Sequence, residues 1–282
     1  MAKGAPVQTD WYETPQLYDI VFDADTRTEA DFLEALHRRH SRTRGRRSLE
    51  LACGSGRLVR ELASRGWNAA GFDIQPAMLA YARRRLRRAG TEAELWRDSM
   101  QSFRAPRARF DLVHCLVSSF KYLLTEEDAL ACLRRVAAAL KPGGIFVLGL
   151  HLTDPANRRP LHERWVAERG GIRVVCNTRT WPPADGSRLE SMRTRLRVAR
   201  RDGSLHEQET RWQARSYTAA QLRQLLAKCG AFETLACHDF RHDPGETRAF
   251  DDEYPDLVLV LGRRQGRSGG PKGDWRNASG CD

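Results

Sequence analysis

Hydrophobic and polar positions along this 282-residue chain fall into two textures. Between residues 48 and 150, short apolar runs alternate with stretches in which apolar residues recur every three or four positions. The runs at 48–52, 69–73, 93–96, 110–116 and 145–150 predict strands, and the periodic stretches at 56–65, 76–88 and 126–140 predict helices. Pro76 suits an early helical position and Gly90 a stop. Such alternation implies an α/β fold, a doubly wound and largely parallel sheet. After His151 the texture changes. Residues 172–178, 188–200 and 205–215 alternate residue by residue, with turn signals at Pro182-Pro183-Ala184-Asp185-Gly186 and Arg201-Asp202-Gly203-Ser204, which predicts an inserted antiparallel meander. Helical periodicity resumes at Thr218 to Lys228 with Gly230 as its stop, followed by strands at 232–238 and 257–261.

The ends are less regular. Residues 1 to about 10 read as unstructured, 18–40 as one or two helices broken around Asp23-Ala24-Asp25, and 42–47 as a basic link. Residues 263–282, rich in Gly, Arg and Ser, read as a disordered basic tail. The division is then 1–47 as an N-terminal helical segment, 48–150 with 217–262 as the core, 151–216 as the β-rich insertion, and the tail.

Composition narrows this picture only slightly. No run of about 18 apolar residues exists and the first twenty positions are polar, so neither a membrane span nor a secretory leader is expected, and the cytoplasm is. Seven scattered cysteines without a C-x-x-C pair read as free thiols, not as a disulfide framework or a metal site. The net charge of +11 invites a nucleic-acid partner, but only five of the 47 basic residues are lysines, an imbalance that a GC-rich genome produces by codon usage alone. A small-molecule partner is preferred, nucleic acid is disfavoured, and a homodimer is left open.

The chemistry sits at the first predicted strand–helix junction. In Leu49-Glu50-Leu51-Ala52-Cys53-Gly54-Ser55-Gly56-Arg57, two glycines one residue apart let the backbone turn sharply and meet a ligand with no side chain between. Asp73, seventeen positions after Gly56, ends the next strand where a carboxylate accepts hydrogen bonds from ribose hydroxyls. Val59 replaces the third small residue of a dinucleotide fingerprint, and Arg57-Leu58 replaces the Lys-Ser/Thr of a P-loop. The ligand expected carries a ribose and no pyrophosphate.

This segment resembles motif I of the class I methyltransferases that use S-adenosylmethionine (SAM) and release S-adenosylhomocysteine. The resemblance extends in order along most of 12–262 through Asp73, Asp98-Ser99-Met100, Phe110-Asp111-Leu112-Val113, Leu140-Lys141-Pro142-Gly143-Gly144 and Tyr217-Thr218-Ala219-Ala220-Gln221-Leu222. It implies a seven-stranded Rossmann-like sheet, with the insertion similar to the lid of glycine and amino-sugar N-methyltransferases. It also implies a cofactor site of Tyr18, Glu50, Ala52, Gly54, Gly56, Arg57, Asp73, Ile74, Met78, Asp98, Ser99, Met100 and Cys115. Tyr18-Asp19-Ile20-Val21-Phe22 looks like the element that closes over the cofactor in lidded members.

Methyl transfer to N or O by in-line displacement needs mainly positioning, and a base only where the nucleophile arrives protonated. Candidates around the acceptor are His151, directly after the fifth strand, with Tyr122, Tyr217 and Glu190. In the insertion, Glu190, Met192, Thr194, Leu196 and Val198 share one face and Arg193, Arg195 and Arg197 the other; sequence leaves open which face turns inward. An RNA or protein methyltransferase using the arginines, and a SAM-binding regulator without catalysis, stand as alternatives to a small-molecule enzyme.

Overall fold

The computed structural model describes residues 7–105, 110–184 and 186–264; the expected tail, apart from Arg263 and Arg264, and the first six residues lie outside the described residues. In chain order the elements are β1 (Val7–Gln8), a 3-10 turn (Trp11–Glu13), α1 (Pro15–Phe22), α2 (Thr26–His40), β2 (Arg47–Leu51), α3 (Arg57–Ser64), β3 (Asn68–Asp73), α4 (Pro76–Ala89) and β4 (Glu94–Arg97). Then come β5 (Phe110–Cys115), a second 3-10 turn (Ser119–Tyr122), α5 (Glu126–Ala139), β6 (Leu140–His151), β7 (Leu161–Arg169), β8 (Ile172–Trp181), β9 (Leu189–Arg200), β10 (Leu205–Arg215), α6 (Ala219–Cys229), β11 (Phe232–His238) and β12 (Asp256–Arg263).

Seven strands form the main sheet in the order β11-β12-β6-β5-β2-β3-β4. The pairs from β6 to β4 are parallel, and β12 and β11 are antiparallel. Helices cover both faces, so the strands read as continuous apolar runs instead of alternating. One face packs Phe72, Phe120 and Phe146 against Leu133 and Val136 of α5 and Leu222 of α6. The other packs Leu112 and Val147 against Phe32 and Leu36 of α2 and Leu58 and Leu62 of α3. Pro76 begins α4 and Gly90, left-handed at φ 63°, ends it. Thr218 caps α6 reciprocally with Gln221 in a capping box.

The second sheet runs β1-β10-β9-β8-β7. Only one of its faces is covered. Val174, Cys176, Leu196 and Val198 pack on Trp11, Leu17 and Ile20, so the Glu190–Val198 set faces inward and the arginine set outward. Two strands of this sheet carried no sequence signal. β7 is exposed on nearly every residue because it is the sheet edge. β1, inside the stretch expected to be unstructured, pairs in parallel through Val7 and Gln8 with Gln208 and Glu209, and Gln8 Nε2 donates to Glu209 Oε1 at 3.3 Å. The Pro142-Gly143-Gly144 turn lies inside β6, which starts already at Leu140; a Cβ on Gly144 would stand 3.0 Å from the Asp111 carbonyl oxygen.

Asp19 on α1 ties the parts together. Fully buried, it accepts from Ser55 Oγ at 2.8 Å, Tyr81 Oη at 3.0 Å and Arg169 at 2.5 Å, and it also pairs with Arg85. One carboxylate thus links the glycine turn, α4 and the second sheet.

Candidate functional site

The sheet reverses its winding at β2, whose neighbours are β3 and β5, and a cleft of about 550 Å³ opens at the carboxyl ends of these strands. The turn after β2 forms its floor with three left-handed residues: Ala52 (φ 51°), Gly54 (φ 52°) and Gly56 (φ 68°). Ala52 is strained there, which marks a backbone held for a purpose. Gly54 lines the cleft, whereas Gly56 lets α3 begin close to α4, since a Cβ on Gly56 would lie 2.7 Å from that of Ala82.

Asp73 ends β3 at the cleft wall. Its Oδ2 accepts from the Gly54 N–H and its Oδ1 from the Gln75 N–H, both at 2.8 Å, and the Ile74 N–H adds to their pull, while the carboxylate still lines the cleft with acceptor capacity to spare. Burial raises its carboxyl above the usual range against the pull of these N–H groups. After β4, Asp98 accepts from the Ser99 and Arg104 N–H groups and lines the cleft with Ser99 and Met100. Ile74, 56% exposed, and Tyr18 complete this end. Two acids for hydroxyls and an amino group, a side-chain-free turn, and apolar Ile74 and Met100 together fit a purine nucleoside such as that of SAM.

The opposite end is built from parts distant in sequence. Tyr12 and Tyr122 meet through their hydroxyls at 2.7 Å, Asp10 accepts from the Tyr12 N–H and Gln75 Nε2, and Glu209, Thr210, Arg211 and Trp212 of β10 close the wall. Val117 (φ 57°) and Ser118 (φ 62°) form a left-handed pair before the 3-10 turn that carries Ser119 and Tyr122. A β-branched residue there is an outlier, a second strained turn at the same cleft. Burial pushes the Tyr122 phenol up to about 12, so it stays protonated near neutrality.

Several expected site residues lie elsewhere. Arg57 is buried away from the cleft, because Glu29 of α2 takes its guanidinium at 2.7 and 2.8 Å and Thr26 adds a third bond. Glu50 is buried beside it, pushed up to about 8 by burial against the attraction of Arg57, and its Oε2 has no partner. Met78 and Cys115 are wholly buried, the Cys115 thiol raised to about 12 by burial. None of these four lines the cleft.

The base candidates are dispersed as well. His151 Nδ1 donates to Asp256 Oδ1 (2.9 Å) and the ring packs on Phe240, off the cleft. Tyr217 borders a separate cavity of about 190 Å³. Glu190 is locked by Lys121 at 2.7 Å and Thr153 Oγ1 at 2.6 Å. Only Tyr122 of the four reaches the cleft. Sequence reasoning passed over Asp10, Tyr12, Gln75 and the β10 residues; no motif marks them, and Trp11-Tyr12 next to Tyr18 was the one aromatic hint.

Residues 49–144 match the family described as "Methyltransferase domain". The dTDP-3-amino-3,6-dideoxy-alpha-D-glucopyranose N,N-dimethyltransferase of Streptomyces fradiae is 37% identical over 139 residues, 48% of this chain and 52% of that protein. The matched stretch thus spans about half the length of that curated relative. Two solved structures share the fold over nearly their whole length. DesVI of Streptomyces venezuelae has a TM-score of 0.70 at 21% identity, covering 90% of this chain and 99% of its own, and the sugar N-methyltransferase KedS8 of Streptoalloteichus a TM-score of 0.67 at 23% identity, covering 94% and 97%. Residues 49–144 thus match a methyltransferase domain, and the strand order and the turn after β2 give the chain the fold shared by these solved methyltransferases.

Proposed function

We propose that the protein transfers a methyl group from SAM to the amine of a small molecule of the amino-sugar class. The observation that carries this reading is the single cleft running from the Gly54–Asp73–Asp98 end to the Tyr12–Tyr122 end, roofed by β10. SAM, when bound, supplies an electrophilic methyl group. The protein holds its nucleoside at Asp73 and Asp98 and places the acceptor against Tyr122, Tyr12 and Asp10.

An amine suits this wall better than an alcohol. Tyr122, held protonated, cannot remove a hydroxyl proton but can orient a nitrogen by hydrogen bonding. Asp10, a carboxylate at the cleft rim, suits an ammonium and receives its proton before transfer. The second sheet acts as the lid, with the N-terminal segment between it and the core, so that water is excluded during transfer. The names of the S. fradiae relative and of KedS8 point the same way. No helix among the described residues is long and apolar enough to cross a membrane, and the six cysteines there are free, which supports a cytoplasmic enzyme.

The test is incubation with SAM and paired acceptors, amino sugars and their hydroxyl counterparts, following S-adenosylhomocysteine release and product mass. Methylated amines with unreacted alcohols are expected. Turnover confined to alcohols, RNA or protein, or none at all, would overturn the reading.

A further inference from the structure

Tyr122 reaches the cleft from a turn that the second sheet holds on both flanks. Lys121, the residue before it, does not line the cleft; its ammonium stands 2.7 Å from Glu190 Oε2 on β9, with the two side chains only 9% and 6% exposed. Glu190 is tied to the core in turn, since its Oε1 accepts from Thr153 Oγ1 at 2.6 Å in the segment after β6. On the other flank, Arg215 of β10 donates to the Leu124 carbonyl at 2.9 Å. The start of the turn is held by the core. Ser118 N–H donates to the Gly149 carbonyl at 3.2 Å, and Ser118 Oγ accepts from the His151 N–H at 2.9 Å.

The partner phenol is held in the same way. The Trp11 N–H donates to Thr210 Oγ1 of β10 at 3.0 Å, Trp11 stacks on Trp212 with 5.3 Å between centroids, and Gln208 Nε2 donates to Thr14 Oγ1 at 2.9 Å. Tyr12 lies between these attachments. The 2.7 Å contact of the Tyr12 and Tyr122 hydroxyls thus joins segments 110 residues apart, each fastened to the second sheet beside its tyrosine. The left-handed Val117 and Ser118 carry backbone strain, which persists only where the surroundings over-determine the turn. A buried Lys–Glu pair is a poor source of stability, because desolvation offsets its attraction and an apolar pair of similar volume serves as well or better. What it adds over an apolar contact is a directed attachment of β9 to the residue before Tyr122.

We infer that Lys121 and Glu190 are positioning residues that couple the seating of the second sheet to the Tyr122 phenol. With the sheet seated, the pair fixes the turn so that Tyr122 meets Tyr12 at the acceptor end of the cleft. With the pair removed, the turn is free to carry the phenol out of its place beside Tyr12. Neither Lys121 nor Glu190 lines the cleft, so both act through Tyr122. The cofactor end is independent of them, because Asp73 and Asp98 are fixed by N–H groups of the main domain. The inference deepens the amine-methylation reading above, in which Tyr122 orients the acceptor nitrogen, and rests on it for its effect on turnover.

The experiment is fluorine NMR of the full chain labelled with fluorotyrosine and saturated with S-adenosylhomocysteine, the Tyr122 signal being assigned by its loss in Tyr122→Phe. The variant is Lys121→Met combined with Glu190→Met, since removing one charge alone leaves the other buried and unpaired. Its melting temperature is expected to equal or exceed the parent's, and its S-adenosylhomocysteine affinity by calorimetry to be unchanged. Its Tyr122 signal is expected to shift or broaden. Turnover of the amino sugar methylated in the paired-acceptor assay falls by about tenfold or more in kcat, with KM for SAM unchanged, because misplacing a reacting group acts on rate. Glu190→Gln, which keeps an acceptor for Thr153, moves the signal in the same direction by less, and it decides the matter where the double variant does not fold. An unmoved Tyr122 signal, or a movement accompanied by an equal loss of melting temperature and cofactor affinity, would overturn the coupling. The two readings fail separately. A displaced Tyr122 signal in a protein that methylates no amine removes the amine reading alone; an unmoved signal in an active amine methyltransferase removes the coupling alone.

Discussion

The two sheets of this protein solve different problems. The seven-stranded sheet is buried on both faces, and it makes its half of the cleft from backbone: a left-handed turn, strand ends, and N–H groups that fix Asp73 and Asp98. The five-stranded sheet is buried on one face only, and it makes its half from side chains, Glu209, Arg211 and Trp212. Charges inside the first are few and paired at depth, whereas charges on the second lie in ladders open to water. Substitutions of the same chemical kind should therefore have unequal effects in the two.

Arg57→Ala should show the largest effect. It leaves Glu29, whose side chain is 5% exposed, as an uncompensated buried charge beside Glu50, a loss of about 3–5 kcal/mol measurable by urea denaturation. A loss below about 1 kcal/mol would mean that the main sheet tolerates charge as the outer one does. Asp73→Ala comes next. It removes the ligand-facing lone pairs and the partner of the Gly54 and Gln75 N–H groups, and should weaken S-adenosylhomocysteine by about 100-fold, roughly 2.8 kcal/mol. Unchanged affinity in calorimetry would remove the cofactor end as described.

Glu50→Gln tests through pH the burial of a carboxyl beside the Arg57–Glu29 pair. The folded-state pKa of Glu50 is raised to about 8 from 4.5, so the folded state binds more protons between those values and wild-type stability falls as pH rises through that window. Glu50→Gln lacks this slope. Melting temperatures compared at pH 5 and pH 8 should show the variant gaining on the parent at the higher pH, and parallel behaviour would contradict the burial account. The smallest effect belongs to the outer sheet. Arg197, about half exposed and 3.7 Å from Glu207, should change stability by less than about 0.5 kcal/mol in Arg197→Gln.

Legibility followed the same division. The main sheet was readable because parallel strands buried on both faces are apolar throughout, and because Gly54, Gly56 and Asp73 act through local backbone geometry that spacing along the chain preserves. β7 and β1 were not, since an edge strand and a two-residue pairing carry no alternation. Arg57, Glu50, Met78 and Cys115 sit in or near the right motif yet turn away from the cleft. Helix and strand geometry sends neighbouring side chains in different directions, and Glu29, 28 residues earlier, captured the guanidinium. His151 lies off the cleft for a related reason: the strand end it occupies places it against Asp256 and Phe240.

The sequence by itself determined the doubly wound sheet, the antiparallel insertion and the glycine turn after the first core strand, because each depends on residues close together in the chain. Tertiary structure alone decided which face of the insertion turns inward, that Asp10 and Tyr12 join Tyr122 at one end of the cleft, and that Arg179, Arg193 and Arg211 stand in one row. Those facts depend on strand register and on packing between segments up to two hundred residues apart, and neither is encoded in local spacing.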